Sequence, residues 1–163
     1  MRTLVLGLGN PLLRDDSVGL RVAQALRPSL EGIPGLDVDE DYHGGLRLME
    51  RLVGYDRAII IDAIRSGAPL GTCHLLNPLD MPTRHSASSH DMDLATALEL
   101  GRRSGAHLPR TEDVFLVAVE VDDVETFGES LTPEVEAAIP TASWTVQMLL
   151  DGAPRPPAAP PDE

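Results

Sequence analysis

The chain has 163 residues, of which 42% are hydrophobic and 3% aromatic, and its formal net charge is −13. A chain of this length can form one domain with a substantial core, and Cys73, the single cysteine, excludes an internal disulfide within a monomer. All 13 basic residues are arginines, which excludes lysine chemistry, and the acidic balance argues against nucleic-acid binding. No apolar segment approaches the roughly 20 residues that span a bilayer, so we expect no membrane association and a cytoplasmic location.

Hydrophobic spacing predicts alternating strands and helices in the first half of the chain. Strands are predicted at residues 3–8, 36–42 and 57–64, the last being a continuous apolar run typical of a central strand covered on both faces. Helices are predicted at residues 16–26 and 46–53, where apolar side chains recur at helical spacing.

The same alternation continues in the second half. A weaker strand is predicted at residues 71–77, a helix at 91–105 and a central strand at 113–123. A last helix begins near Thr132, its predicted N-cap, and we expect Pro140 to kink or split it.

These elements predict an α/β fold: a single three-layer domain with a twisted, mainly parallel sheet and helices on both faces. The domain covers residues 1–151, and the Pro/Ala-rich residues 152–163 are expected to form a disordered tail. In such folds ligands gather beyond the carboxyl ends of the strands, which is where functional side chains are sought.

The loop after the first strand, LGLGNPLLRDDSVG, has the glycines of a phosphate-binding turn but lacks the rest of such a motif. Leu12 stands where a dinucleotide fingerprint needs its third glycine, and a Walker-type loop needs a lysine that the chain lacks. Two adjacent aspartates then open a helix. One carboxylate can cap free helical amides, a role that we assign to Asp15, which leaves Asp16 for another function.

Two further residues stand at the ends of predicted elements. Asp62 closes a buried apolar run, where an ionised group is costly unless it is paired, hydrogen-bonded or bound to a cation. His90, in SSHDMDL, precedes a helix. Alone, Asp62 fits a satisfied structural aspartate, and His90 fits a surface or capping residue. Together, Asp16, Asp62 and His90 follow three different strands, so the fold would bring them to one rim as a site for a divalent metal.

Other potential catalytic groups are interpreted as structural. The helix motif H-E-x-x-H and the nucleophile elbow G-x-S-x-G are both absent. Cys73 lies within a strand with no obvious base beside it and is interpreted as a core residue. His74 is expected to face the opposite side of the same strand, and His107 is expected to be a solvated or capping residue.

Four stretches in order resemble the hydrogenase maturation endopeptidases, which process the large subunit of nickel–iron hydrogenases. They are LGLGNPLLRDDSVG, YDRAIIIDAI, SSHDMDLATALELG and VEVDDVETFGESLTPEVEAAIP. The resemblance covers residue 1 to about residue 150 and implies a single α/β domain. It also implies three metal-contacting positions, which correspond by motif to Asp16, Asp62 and His90.

The resemblance further implies that the substrate is a large-subunit precursor that already carries nickel and loses a short C-terminal peptide. We therefore expect a metal-dependent endopeptidase that acts as a monomer, takes its nickel from the substrate and has no permanent organic cofactor. The family usually has a Gly-Thr-x-Gly-like turn after the second strand, whereas this chain has YHGG. We interpret His43 in that turn as a peripheral group.

Two alternatives remain at this point. Peptidyl-tRNA hydrolases also begin with a strand and G-L-G-N-P, but they need a histidine shortly after that loop and a basic surface for tRNA. A non-catalytic, nickel-dependent chaperone or binding module for the large subunit would be favoured by a degenerate site, whereas all three positions here carry metal-binding side chains. Truncation of the precursor separates the enzyme from the binding module.

Overall fold

The sheet is the organising element of the structure, a computed structural model that describes residues 1–42, 45–80 and 93–152. Its strands are β1 (Thr3–Leu8), β2 (Leu36–Asp41), β3 (Arg57–Ile64), β4 (Cys73–Leu76) and β5 (Val114–Glu120). The helices are α1 (Val18–Leu30), α2 (Gly45–Arg51), α3 (Leu94–Arg103), α4 (Pro133–Glu136) and α5 (Ile139–Leu150). Among the described residues, no helix has the length and apolarity needed to cross a membrane.

The strand order is β2-β1-β3-β5-β4. The first four strands in this order run parallel, and β4 pairs antiparallel with β5 at one edge. All six residues of β1 are buried, as are four consecutive residues of β3, because both strands are covered on their two faces. The carboxyl ends of β1, β2, β3 and β5 therefore meet at one rim of the sheet.

Helices cover both faces of this sheet and create two apolar clusters. Alternate strand residues face α2 and α3, whose contributions to the first cluster include Leu48, Met49, Leu94 and Leu98. The other strand residues face α1, α4 and α5, whose contributions to the second cluster include Val18, Val22, Val135 and Val146. This arrangement confirms the predicted three-layer α/β architecture.

Several predicted boundaries change in the structure. The first helix is preceded by a 3-10 turn, Asp15–Ser17, and α1 then continues to Leu30. Thr132 is the N-cap residue of α4, as predicted. The final helical segment divides at residues 137–138, so Pro140 lies in the first turn of α5, where its missing N–H costs nothing. Residues 153–163, most of the predicted tail, lie outside the described residues.

The N-terminal end of α1 packs directly on the strand backbones through Gly19. A Cβ atom at Gly19 would lie 2.2 Å from the carbonyl oxygen of Ile61 and 2.3 Å from that of Leu8. On the strand side, a Cβ at Gly7 would lie 2.4 Å from the carbonyl oxygen of Gly19 and 2.7 Å from Cβ of Ala23. Two glycines thus allow a helix–sheet approach that any side chain would prevent.

Substitution of Gly19 by alanine should destabilise the protein by about 3 kcal/mol, because the new methyl group meets rigid backbone carbonyls on two strands. Urea unfolding measures this loss. Gln24→Ala is the matched control in the same helix, since Gln24 is exposed and its loss should change stability by less than about 0.5 kcal/mol. Equal stability of the two variants would contradict the proposed close packing.

Candidate active site

Two of the three predicted metal-binding residues come together at the carboxyl rim of the sheet. Asp16 lies in the 3-10 turn that follows β1, and this turn contacts β3, which carries Asp62. The charge of Asp16 acts on the carboxyl group of Asp62. Asp62 is two residues before the last residue of β3, so the strand continues slightly past the residue expected to close it.

The loop between β1 and α1 is shaped to hold the Asp16 carboxylate. The φ angle of Gly9 is +154°, and a Cβ there would lie 2.1 Å from the backbone oxygen of Asp16. The backbone N–H of Asn10 donates to Oδ2 of Asp16 at 3.1 Å. In turn, Oδ1 of Asn10 accepts from the backbone N–H of Leu12 at 2.9 Å. The glycine and asparagine of the opening motif therefore serve to place a carboxylate.

Asp15 has a structural role that differs from the predicted one. It makes no capping bond to its own helix. Its side chain is 1% exposed and accepts hydrogen bonds from the backbone N–H of Thr132 at 2.8 Å and from the Thr132 hydroxyl at 2.7 Å. The prediction of a cap was therefore wrong about the partner, since Asp15 joins the first loop to the N-cap residue of α4, 117 residues away.

Backbone hydrogen bonds join the same loop to the segment after β5. The N–H of Arg14 donates to the carbonyl of Thr126 at 3.0 Å, and the N–H of Gly128 donates to the carbonyl of Leu12 at 3.0 Å. These bonds fix the residues immediately before the Asp15–Asp16 turn. Local sequence patterns carry no signal for such pairing, because its partners are more than 100 residues apart.

The Asp62 carboxyl group has a strongly perturbed affinity for protons. Burial raises the pKa of Asp62 to about 7, against a weaker lowering by the hydrogen bond from the N–H of Ala63, and the nearby charge of Asp16 adds to the rise. Burial also raises the pKa of Asp16, and the hydrogen bond from Asn10 opposes that shift. Two desolvated carboxyl groups that repel each other electrostatically favour either a proton on one of them or a bound cation.

The third predicted ligand, His90, lies outside the described residues, as does His43. Within residues 1–42, 45–80 and 93–152, no group of three metal-binding side chains occurs. The described part of the site therefore supplies two oxygen donors, Asp16 and Asp62. This donor set fits a divalent cation that brings its other ligands with it.

The residues interpreted as structural make their contacts with groups other than this carboxylate pair. Cys73 is partly buried, packs against the cluster beneath α1 and α5, and lies 3.9 Å from the Thr145 hydroxyl. His74 faces the other side of the sheet, as predicted. His107 is exposed and its Nε2 lies 2.9 Å from Asp56. Sequence analysis missed Glu120, a fully buried carboxylate at the end of β5. Glu120 lies inside the strand predicted at residues 113–123, where nothing in the pattern distinguishes it from a solvent-facing residue.

The two adjacent aspartates should respond differently to removal. Asp15→Ala leaves both donors of Thr132 without their partner and should lower the free energy of unfolding by about 2 kcal/mol. Asp16→Ala removes a desolvated charge and should change stability by less than about 1 kcal/mol. Urea unfolding of both variants tests this order, and a greater loss for Asp16→Ala would contradict the assigned roles.

The raised pKa of Asp62 predicts that its contribution to stability decreases as pH rises from about 4 to about 7. The unfolded chain releases this proton near the ordinary value of 3.8, whereas the folded protein holds it until about pH 7. The folded state is thus favoured at low pH, and this advantage is lost as pH rises through the folded pKa. Asp62→Asn cannot ionise and should be more stable than the wild type at pH 8.

Urea unfolding of the wild type and Asp62→Asn between pH 4 and pH 8 measures this effect. Asp56→Asn is the control, because hydrogen bonds lower the pKa of Asp56. This variant should still show the decrease in the free energy of unfolding above pH 5. Parallel stability profiles for the wild type and Asp62→Asn would show that Asp62 titrates normally.

Comparison with known proteins gives a consistent family. A family model described as hydrogenase maturation protease matches residues 43–150. The hydrogenase 2 maturation protease of Escherichia coli K12 is 34% identical over 146 residues, which cover 87% of this chain and 86% of that protein. The hydrogenase expression/formation protein HupD of Rhizobium leguminosarum is 30% identical over 152 residues, which cover 91% and 74% of the two chains.

Solved structures give the same result. The hydrogenase maturating endopeptidase HybD from Escherichia coli has a TM-score of 0.75 and 32% identity, with 93% of each chain covered. A hydrogenase 2 maturation peptidase from a Thaumarchaeota archaeon has a TM-score of 0.65 and 26% identity, covering 93% of this chain and 99% of that one. By sequence and by fold, the chain belongs to the hydrogenase maturation proteases, endopeptidases that process the hydrogenase large subunit.

Proposed function

We propose that this endopeptidase recognises nickel bound to the large-subunit precursor and removes the C-terminal peptide of that precursor. In this proposal Asp16, Asp62 and His90 complete the coordination of the incoming nickel, and the enzyme holds no metal of its own between substrates. The observation that carries the proposal is the pair of desolvated carboxyl groups, Asp16 and Asp62, at the carboxyl rim. Such a pair is unfavourable when both groups are ionised and becomes favourable when a cation binds between them.

The geometry suggests how these residues would support hydrolysis. Asp16 is held from one side by Asn10, and Asp62 is held by the N–H of its neighbour Ala63, so both carboxylates are fixed before substrate arrives. Nickel accepts the oxygen and nitrogen donors that these residues provide. Binding the precursor through its metal would place the scissile peptide near the metal, where Lewis-acid polarisation or an activated water assists cleavage.

The proposal places this reaction in the cytoplasm and assigns it to a monomer. The single cysteine fits a reducing compartment, in which thiols stay reduced. Asp16 and Asp62 come from one chain, so a second copy is not needed to bring them together. Sedimentation of the purified protein tests the monomeric state.

Cleavage of a purified precursor tests the function directly. Mass spectrometry of a nickel-loaded large-subunit precursor should show a truncated product with the wild-type protein, and the same precursor without nickel should stay intact. Asp16→Ala, Asp62→Ala and His90→Ala should each lower the cleavage rate to below about 1% of wild type, because displacement of a reacting group by about 1 Å can cost 100-fold.

Asp56→Ala and His107→Ala are matched controls, since they remove a carboxylate and an imidazole that pair at the opposite end of β3. Both controls should cleave at the wild-type rate. An unchanged precursor mass with the wild-type protein would support the non-catalytic binding module instead. Full activity in all three site variants would refute the residue assignment.

A further inference from the structure

Glu120 is a buried carboxylate at the same rim as Asp62, and the proposed chemistry does not use it. It is the last residue of β5 and is 1% exposed. In the strand register Glu120 pairs with Ile64 and Ala118 pairs with Asp62. Because strand side chains alternate, Glu120 and Asp62 lie on the same face of the sheet, on neighbouring strands and two positions apart in the register.

The Glu120 carboxylate accepts hydrogen bonds from the loop that follows β3. One oxygen accepts from the backbone N–H of Ser66 at 2.8 Å. The other accepts from the Ser66 hydroxyl and from the N–H of Ala68 at 3.2 Å. The backbone of Glu120 also bonds to the end of this loop, to the carbonyl of Thr72 at 2.8 Å and the N–H of Gly71 at 2.9 Å. One residue therefore fixes both ends of the loop.

His74 lies on the other side of this carboxylate. Its Nε2 is buried 3.4 Å from Oε1 of Glu120. His74 pairs with Ala118, which pairs in turn with Asp62, so the three residues form a row across one face of the sheet. Burial raises the pKa of Glu120, but the hydrogen bonds from Ser66 and Ala68 lower that pKa by more, so the group is ionised at neutral pH.

The loop held by Glu120 contributes little to the core. All of residues 65–70 are exposed except Ala68, which is partly buried. A buried, ionised carboxylate at the end of a strand is expensive, and an apolar side chain would serve the sheet better if packing were its only role. A buried charge that fixes an exposed loop beside Asp62 instead indicates a requirement for precise geometry at the exit of β3.

We infer that Glu120 is a positioning residue, which fixes the exit of β3 through Ser66 and Ala68 and thereby sets the direction of the Asp62 carboxylate. This inference rests on the proposed role of Asp62 in orienting the nickel-bound scissile peptide for cleavage. Loss of the Glu120 carboxylate should let the loop move and misdirect Asp62, while the rest of the substrate surface stays intact. The effect should therefore appear in kcat rather than in KM.

Kinetics of Glu120→Ala and Glu120→Gln on the nickel-loaded precursor test this role. Glu120→Ala should lower kcat about 10-fold or more with KM unchanged within about twofold. Glu120→Gln should be intermediate, because its amide oxygen can still accept from the loop while its NH₂ group faces a donor. Val146→Ala is the control for general destabilisation, since Val146 is fully buried in α5 on the opposite face of the sheet.

Each outcome decides the inference. A kcat for Glu120→Ala that matches Val146→Ala at equal thermal stability would overturn it, as would a loss confined to KM. The ¹³C shift of the Asp62 carboxyl carbon gives a second measurement that needs no activity. This chemical shift should differ from the wild-type value in Glu120→Ala and match it in Val146→Ala. If the wild type fails to cut the precursor, the proposed function fails, and the ¹³C shift still decides whether Glu120 positions Asp62.

Discussion

The close approach of α1 to the strand backbones is the constraint on which the site depends. Gly19 packs against the carbonyl groups of Leu8 and Ile61, and on the strand side Gly7 packs against α1 at Gly19 and Ala23. This contact fixes the start of α1 directly against the last residue of β1 and against the residue of β3 that precedes Asp62. The loop between β1 and α1 is consequently held against β3, so Asp16 reaches Asp62. A helix held farther away by a side chain would separate the two carboxylates.

The position of Asp62 has an electrostatic consequence. Burial in β3 and the nearby charge of Asp16 raise the pKa of Asp62 to about 7. The desolvated Asp62 carboxyl group is unfavourable for stability. Other carboxylates of the fold have their hydrogen bonds satisfied, as Asp15 does by Thr132 and Glu120 by Ser66. Stability is thus concentrated around the site rather than in it.

The sequence predicts the meeting of Asp16 and Asp62 better than it predicts the contacts that support them. Their meeting could be predicted because Asp16 follows β1 and Asp62 lies near the end of β3, and the carboxyl ends of parallel strands share one rim. The partner of Asp15 could not be found, because helix capping is a local rule and Thr132 is distant in the chain. Glu120 was missed for a related reason: it ends an apolar strand, and only the fold shows that the loop after β3 surrounds it.

The titration of Asp62 also bears on the proposal that nickel arrives with the substrate rather than as a resident metal. Near neutral pH, a proton on Asp62 offsets part of the repulsion from Asp16, so the pair is tolerable without a cation. A cation must displace that proton, which weakens the binding of free metal ions by the two carboxylates alone. A metal that arrives with its own protein ligands brings additional binding energy from the rest of the precursor. Under the proposed function, this difference would favour nickel presented by the substrate over free metal ions.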